Sequence, residues 1–190
     1  SFGHHNLLQD ASGEGLSKRT GALSIASLRE SGFEPMAVSS LATLIGTGQA
    51  VEACDSLQQL AETFDPSKVS RSNAKFDVND LGGLNDKLLH AMDYAQAQPR
   101  LDLIAADLGE GFWLAVRENL TRFDEAKLWA NIVEGQFEPV GHDPEDADYL
   151  DDAQALLPAE PWGEDTWSVW TAALKEKTGR KGKALFMPLR

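Results

Sequence analysis

Cysteine is nearly missing from this chain: Cys54 is the single one among 190 residues, so no internal disulfide can form. No cation stands beside it, which disfavours a reactive thiol and suits a small buried one in a reducing compartment. No apolar run approaches the ~20 residues of a membrane span, and no signal-peptide pattern is visible. Basic charge is scarce, with 17 Lys and Arg against 30 Asp and Glu and a net charge of -13. That balance argues against broad, nonspecific nucleic-acid binding but leaves room for a local basic surface. Metal-ligand spacing is missing too. His4 and His5 are adjacent rather than a helical turn apart, and His90 and His142 have no visible partner, so neither a zinc site nor a catalytic triad is predicted. Alternating strands are rare; "KALFMPL", Lys183 to Leu189, is the best short candidate.

What is present is helical punctuation. With 42% hydrophobic and 25% charged residues, the composition is that of a globular chain of one large or two small domains. Ser24 suits an N-cap before Ile25 and Leu28, with Gly32 as the stop. Pro35 suits the first turn of a helix carrying Val38, Leu41, Ala42 and Ile45. Leu57, Leu60, Ala61 and Phe64 repeat the stripe up to Asp65-Pro66. Leu81, Leu84, Leu88 and Met92 form another face. Pro99 opens a segment with Leu103, Ile104 and Leu108, stopped at Gly109, and Phe112 to Leu120 reads as helix. Thr121 and Asp124 form a capping-box pattern before Leu128, Trp129 and Ile132. Asp143-Pro144 starts a helix with Leu150, Ala153 and Leu157. Trp167, Trp170, Leu174 and Lys177 share one face of a last helix, where the tryptophans read as core rather than as a base-stacking platform. The prediction is a mainly α chain with helices of about 9–14 residues. Junctions are expected near Asp93–Pro99 and within Gly135–Pro144.

Several features invite chemistry. "GHDPEDADYLDD" packs six acids between Asp143 and Asp152, but the alternating calcium-loop spacing is absent and an acidic helix start accounts for it. The run "KEKTGRKGKALFMPLR" gathers Lys175, Lys177, Arg180, Lys181, Lys183 and Arg190 around Glu176, compact enough to touch phosphates. Arg71 and Lys75 in "VSRSNAKFD" make a second patch. The expectation is that acids such as Asp143 to Asp152 face away from these cations. Near the start, "ASGEGLSKRTG" places Gly13, Gly15 and Gly21 around Lys18 and Arg19. The Walker A spacing is missing. Glycine freedom, backbone donors, the Ser17 hydroxyl and two cations nevertheless suit closure over a triphosphate, and a plain surface loop is the bland alternative.

At these residues the sequence resembles a known family. "GEGLSKRTGALSIASLRESGFEPMAVSSLATLIG" is similar to the KMSKS-loop segment of bacterial glutamyl-tRNA synthetases and the residues after it. Here the signature stands as Gly15, Leu16, Ser17, Lys18 and Arg19. "SRSNAKFDVNDLGGLN" resembles the family's stem-contact phrase, and "GRKGKALFMPLR" resembles a segment of its helical anticodon-binding domain. The three phrases occur in family order and cover essentially the whole chain. Gly15 departs from the pattern, standing where the first lysine of the signature would be. The resemblance implies a class I aminoacyl-tRNA synthetase that joins glutamate to tRNA using ATP with Mg2+, and a cytoplasmic monomer. Lys18 is then the catalytic residue at the ATP phosphates, with Ser17 and Arg19 as its neighbours. Arg71, Lys75, Lys175, Lys177, Arg180, Lys181 and Lys183 are the candidate tRNA contacts; no metal-ligating residue is assigned. The implied parts are residues 1–22, the end of the catalytic domain; 23–95, a helical stem-contact domain; and 96–190, an all-α anticodon-binding domain incomplete at its C-terminus. A nucleotide-binding fold with a HIGH-type motif is expected before Ser1, which is not a methionine, so the chain reads as a C-terminal piece that is inactive alone. A non-catalytic tRNA-binding module and an acidic helical protein-interaction domain stay open as alternatives.

Overall fold

The computed structural model describes residues 6–10, 12–15, 24–138, 141 and 143–189. Ten α-helices, 3-10 turns and one two-stranded sheet make up those residues, so the mainly α expectation holds. The helices run from 4 to 14 residues, many shorter than the spacing predicts, because 3-10 turns interrupt the longer apolar stripes. The chain falls into two compact units, residues 1–137 and 138–190.

In the first unit, Ser24 caps α1 (Ile25–Glu30) and forms a capping box with Ser27. α2 (Pro35–Leu44) has its proline in the first turn, where the missing N–H costs nothing. α3 (Leu57–Thr63) comes next, and only Leu60 of its stripe is buried, Leu57 being 68% exposed. α4 (Val78–Ala91) starts at Asp77, which accepts from the Asn79 N–H, and buries Leu81, Leu84, Asn85 and Leu89. α1, α2 and α4 share a core of Leu28, Ala37, Leu41, Phe76, Leu81 and Leu84, while Cys54 is buried with Leu44 and Leu60.

α5 (Tyr94–Leu103), α6 (Glu110–Val116) and α7 (Ala126–Val133) build the rest of this unit around Trp113. The Trp113 indole is fully buried and donates to the Met92 carbonyl at 2.9 Å. Three local expectations change here. Pro99 lies inside α5, because the capping box of Asp93 with Gln96 starts the helix earlier and buried Ala97 and Leu101 carry it across the proline. Gly109 starts α6 rather than ending a helix, and Leu103 is 86% exposed. The box sits one residue later than expected, at Arg122: Glu125, not Asp124, accepts from the Arg122 backbone N–H at 3.1 Å and from that of Thr121 at 2.7 Å.

Long-range polar contacts tie α2 to the helices after Asp93. Fully buried Asn85 accepts from the Glu34 N–H at 2.7 Å and donates to the Thr121 carbonyl at 2.8 Å. Arg100 forks onto the Glu34 carboxylate at 3.0 and 2.7 Å and lies 3.7 Å over the Phe123 ring. Arg122 donates to the Ser31 carbonyl at 2.6 Å and lies 3.8 Å over Phe33.

The second unit holds α8 (Ala147–Ala155), α9 (Thr166–Thr178) and α10 (Lys183–Phe186). Its core is Tyr149, Ala153, Leu174 and Leu185, with Trp170 packed against it and donating to the Ala153 carbonyl at 2.8 Å. Trp167 is 48% exposed and stacks on Phe186 at 6.3 Å, so of that tryptophan pair only Trp170 serves the core. "KALFMPL" is helical, α10 running into a 3-10 turn, because Leu185 must turn inward while its carbonyl accepts from Tyr149.

Two measurements check this account. Asn85→Ala leaves the Glu34 N–H and the Thr121 carbonyl unpaired and should lower unfolding free energy in urea by about 2–4 kcal/mol, against under about 0.5 for exposed Asn79→Ala. For Glu125, burial alone would raise the carboxyl, but the hydrogen bonds from Thr121 and Arg122 outweigh it and hold it below its ordinary 4.5. A carboxyl lowered in the folded state contributes stability that is complete above its unfolded value and lost as pH falls through its folded value. The thermal midpoint should therefore drop as pH falls below the ordinary 4.5, and Glu125→Gln should flatten part of that drop.

Candidate functional site

The stretch leading to the cationic loop is built on a short ladder. β1 (Leu8–Gln9) pairs in parallel with β2 (Ala74–Lys75), Leu8 opposite Ala74 and Gln9 opposite Lys75. The Ala74 N–H donates to the Leu7 carbonyl at 3.0 Å and the Phe76 N–H to the Gln9 carbonyl at 2.7 Å. Buried Ala74 and Phe76 thereby fasten β1 to the core of the first unit.

Asp10 then turns the chain. Its carboxylate accepts from the Ser12 hydroxyl, from the Ser12 N–H at 2.9 Å and from the Glu14 N–H at 3.0 Å. The Asp10 N–H donates to the Glu14 carbonyl at 2.8 Å, and Gly15 bridges back to Gln9. The Ser12 hydroxyl is the main reason the Asp10 carboxyl lies below its usual range. An Asp, a Ser and a Gly within four residues is a turn signature, so Asp10 is visible in "DASGEG" beside the more conspicuous cations. Leu16, Ser17, Lys18 and Arg19 lie outside the described residues, as do His4, His5 and His142.

A second close approach secures the base of this loop. The Asn6 amide donates to the Gly46 carbonyl at 3.2 Å, and the Ser70 N–H donates to the same oxygen at 2.8 Å. Gly46 has φ +76, and a Cβ there would overlap the Asn6 amide and crowd the Ala74 side chain.

The other candidate residues separate into groups. Arg71 and Lys75 are exposed on either side of Ser72 to Ala74, with Lys75 on β2 itself. Lys175, Lys181 and Lys183 are exposed in the second unit. Lys177 is paired with Asp152 at 2.7 Å. Arg180 is held three ways: it donates to Asp146, donates to the Ala184 carbonyl at 3.4 Å and lies 4.3 Å over Tyr149. Gly179, the left-handed cap of α9, turns the chain so that Arg180 reaches back. The expected separation of acids from these cations is thus incomplete, since Asp146 and Asp152 reach into the basic segment. Nothing local in the sequence marks those pairings, which join residues 34 and 25 apart. Among the described residues, no group of three or more His, Cys, Asp or Glu gathers to hold a metal ion, and no helix is long and apolar enough to cross a membrane.

No protein-family model matches the chain. A protein named glutamate–tRNA ligase 1 from Brucella ovis is 55% identical over 192 residues, all of this chain and 42% of that protein. Glutamate–tRNA ligase 2 from Brucella melitensis is 54% identical over the same span. The chain therefore covers less than half the length of these relatives. Among solved structures, a glutamate tRNA ligase from Elizabethkingia meningosepticum, crystallised with its amino acid, aligns over 98% of this chain and 44% of its own, with TM-score 0.68 and 20% identity. The glutamate-tRNA synthetase of Elizabethkingia anophelis gives 0.66 at 19% identity over similar shares. At such identities these structures speak for the fold.

The geometry makes one position testable. Gly46→Ala should destabilise the chain by about 2 kcal/mol or more, through the positive φ and the clash with Asn6. Gly48→Ala, where a Cβ meets nothing, should stay within about 0.5 kcal/mol of the parent in the same denaturation series.

Proposed function

The chain belongs to the glutamate–tRNA ligase family, and from that membership we propose that it carries the ATP-contacting loop and the tRNA-binding helices of an ATP-dependent glutamate–tRNA ligase. The observation that carries the reading is a relative's identity over the full chain, loop included. In this reading residues 1–22 end the catalytic domain, 23–95 contact the tRNA stem and 96–190 belong to the anticodon-binding helices. The enzyme works in the cytoplasm as a monomer.

The reaction has two steps. A glutamate carboxylate oxygen attacks the α-phosphorus of ATP, the bond to the bridging oxygen breaks and pyrophosphate leaves. A terminal ribose hydroxyl of tRNA then attacks the activated carbonyl and AMP leaves. Negative charge grows on the departing phosphates in the first step, and the Lys18 ammonium is the group that meets it. Ser17 and Arg19 flank it as donors to the nucleotide. Magnesium enters with the ATP phosphates as part of the substrate. The Asp10 turn supports this reading because it fixes the direction of Gly15, and Lys18 stands three residues later, within about 10 Å of chain. In this reading the nucleotide-binding fold and the glutamate pocket belong to the remainder of the enzyme.

Lys18→Ala in the complete enzyme should lower glutamate-dependent ATP–pyrophosphate exchange about 100- to 1,000-fold, with tRNA affinity within about twofold. Unchanged exchange would remove Lys18 from the mechanism and favour a binding module without chemistry. For the 190-residue chain, tRNA affinity should fall linearly with salt on logarithmic axes, by about 0.7–0.9 of a unit per phosphate contact. An absence of salt-dependent binding would favour the protein-interaction reading.

A further inference from the structure

α8 and the turn that leads into it present two carboxylates to the basic segment, and they are held differently. Asp146 meets Arg180 where both side chains are only about a quarter exposed, 25% and 28%. The same guanidinium covers Tyr149, whose hydroxyl donates to the Leu185 carbonyl at 2.6 Å. That pair is built into the core of the unit. Asp152 meets Lys177 in the open, with 33% of the acid and 49% of the lysine side chain exposed. An ion pair that exposed contributes about 0–1 kcal/mol to stability. Asp152 also sits in the C-terminal half of α8 (Ala147–Ala155), where the helix dipole disfavours an anion. Stability therefore gives little account of the carboxylate.

Its placement gives a better one. Lys177 is in the last turn of α9, beside exposed Lys175 and ahead of exposed Lys181 and Lys183. A phosphate approaching this segment meets three lysines that make no ion pair among the described residues and one already occupied by a carboxylate. We propose that Asp152 attenuates RNA binding at Lys177: its carboxylate occupies the ammonium, and a phosphate uses that lysine only after displacing it. The proposal rests on the tRNA-binding reading above. Displacing the carboxylate lowers the affinity of every RNA whose phosphate uses Lys177 by the same factor, so it sets the strength of binding at this segment rather than the choice between RNAs.

Asp151 supplies the control. It is exposed, carries the same charge one residue away and has no ion pair among the described residues. Asp152→Asn, Asp151→Asn, Lys177→Gln and the Asp152→Asn/Lys177→Gln double variant of the 190-residue chain would be titrated with a tRNA for glutamate and with an unrelated RNA hairpin, across a salt series. Melting curves would confirm that each variant is folded. Asp152→Asn should tighten binding of both RNAs by a similar factor, up to about fivefold, and steepen the salt slope by about 0.7–0.9 of a unit. Asp151→Asn should change either affinity by less than about twofold, and the gain should vanish in the double variant. Equal effects of Asp152→Asn and Asp151→Asn, or a gain that survives loss of Lys177, would overturn the proposal while leaving the tRNA reading intact. Failure of the parent chain to bind any RNA at low salt would overturn both.

Discussion

The first unit depends on one buried amide. Asn85 faces away from water on α4 and spends its oxygen on the Glu34 N–H and its nitrogen on the Thr121 carbonyl. An unpaired amide in that position would cost several kcal/mol, so both partners must arrive together. Fixing the Glu34 backbone also fixes its carboxylate, which receives the Arg100 fork, and Arg100 in turn lies on Phe123. Thr121 is the other end of the same closure, and next to it Arg122 returns to Ser31 and Phe33. Each contact places the next, which is how α1 and α2 are locked to the segment between α6 and α7. A charge pair of this kind breaks roughly even against apolar packing; what it supplies is one register among the helices.

Two of the phrases that carry the family resemblance also carry structural duties. In "SRSNAKFDVNDLGGLN", Ser70 closes on Gly46, Ala74 and Lys75 form β2, Phe76 enters the core, Asp77 caps α4 and Asn85 bridges it. In "GRKGKALFMPLR", Gly179 caps α9, Arg180 lies on Tyr149 and Leu185 enters the core. Resemblance in these stretches is therefore a statement about fold. Among the proposed RNA contacts, Lys177 and Arg180 are already paired within the second unit, with Asp152 and Asp146, whereas Lys181 and Lys183 remain at the surface.

Legibility in the sequence tracked the range of the interaction. Signals that act within a turn were readable: Ser24 as a cap, Pro35 in a first turn, Gly179 as a stop. Where two local signals competed, the reading slipped by a residue or a class. Asp124 stands at the capping-box position, yet Glu125 has the reach to serve both Thr121 and Arg122. "KALFMPL" has the composition of a strand, but among the described residues no strand lies beside it and the Leu185 carbonyl must meet Tyr149. Pairings such as Glu34 with Arg100 or Arg122 with Ser31 span 66 and 91 residues and leave no local mark at all. The candidate loop was legible as chemistry through Lys18, and its support was not, because the ladder beneath it joins residues 66 apart.

That ladder links two candidate sites in one piece of backbone. Gln9 and Lys75 are register partners, and the Gln9 carbonyl receives the N–H of Phe76, the residue after Lys75. Asp10 begins its turn directly after Gln9, and Gly15 closes back onto Gln9. The chain enters the cationic loop from Gly15, so its direction there is set from the same strand pair that displays Lys75. Two hydrogen bonds and a carboxylate turn separate a phosphate contact at Lys75 from the foot of the Lys18 loop. A parallel ladder this short does not slide by one residue without turning Ala74 and Phe76 out of the core, so a shift that kept the core intact would move both strands together. The arrangement therefore joins Lys75 and Gly15, the residue before the proposed ATP loop, to a single strand pair within the first unit, with Gly46 and Asn6 securing its edge.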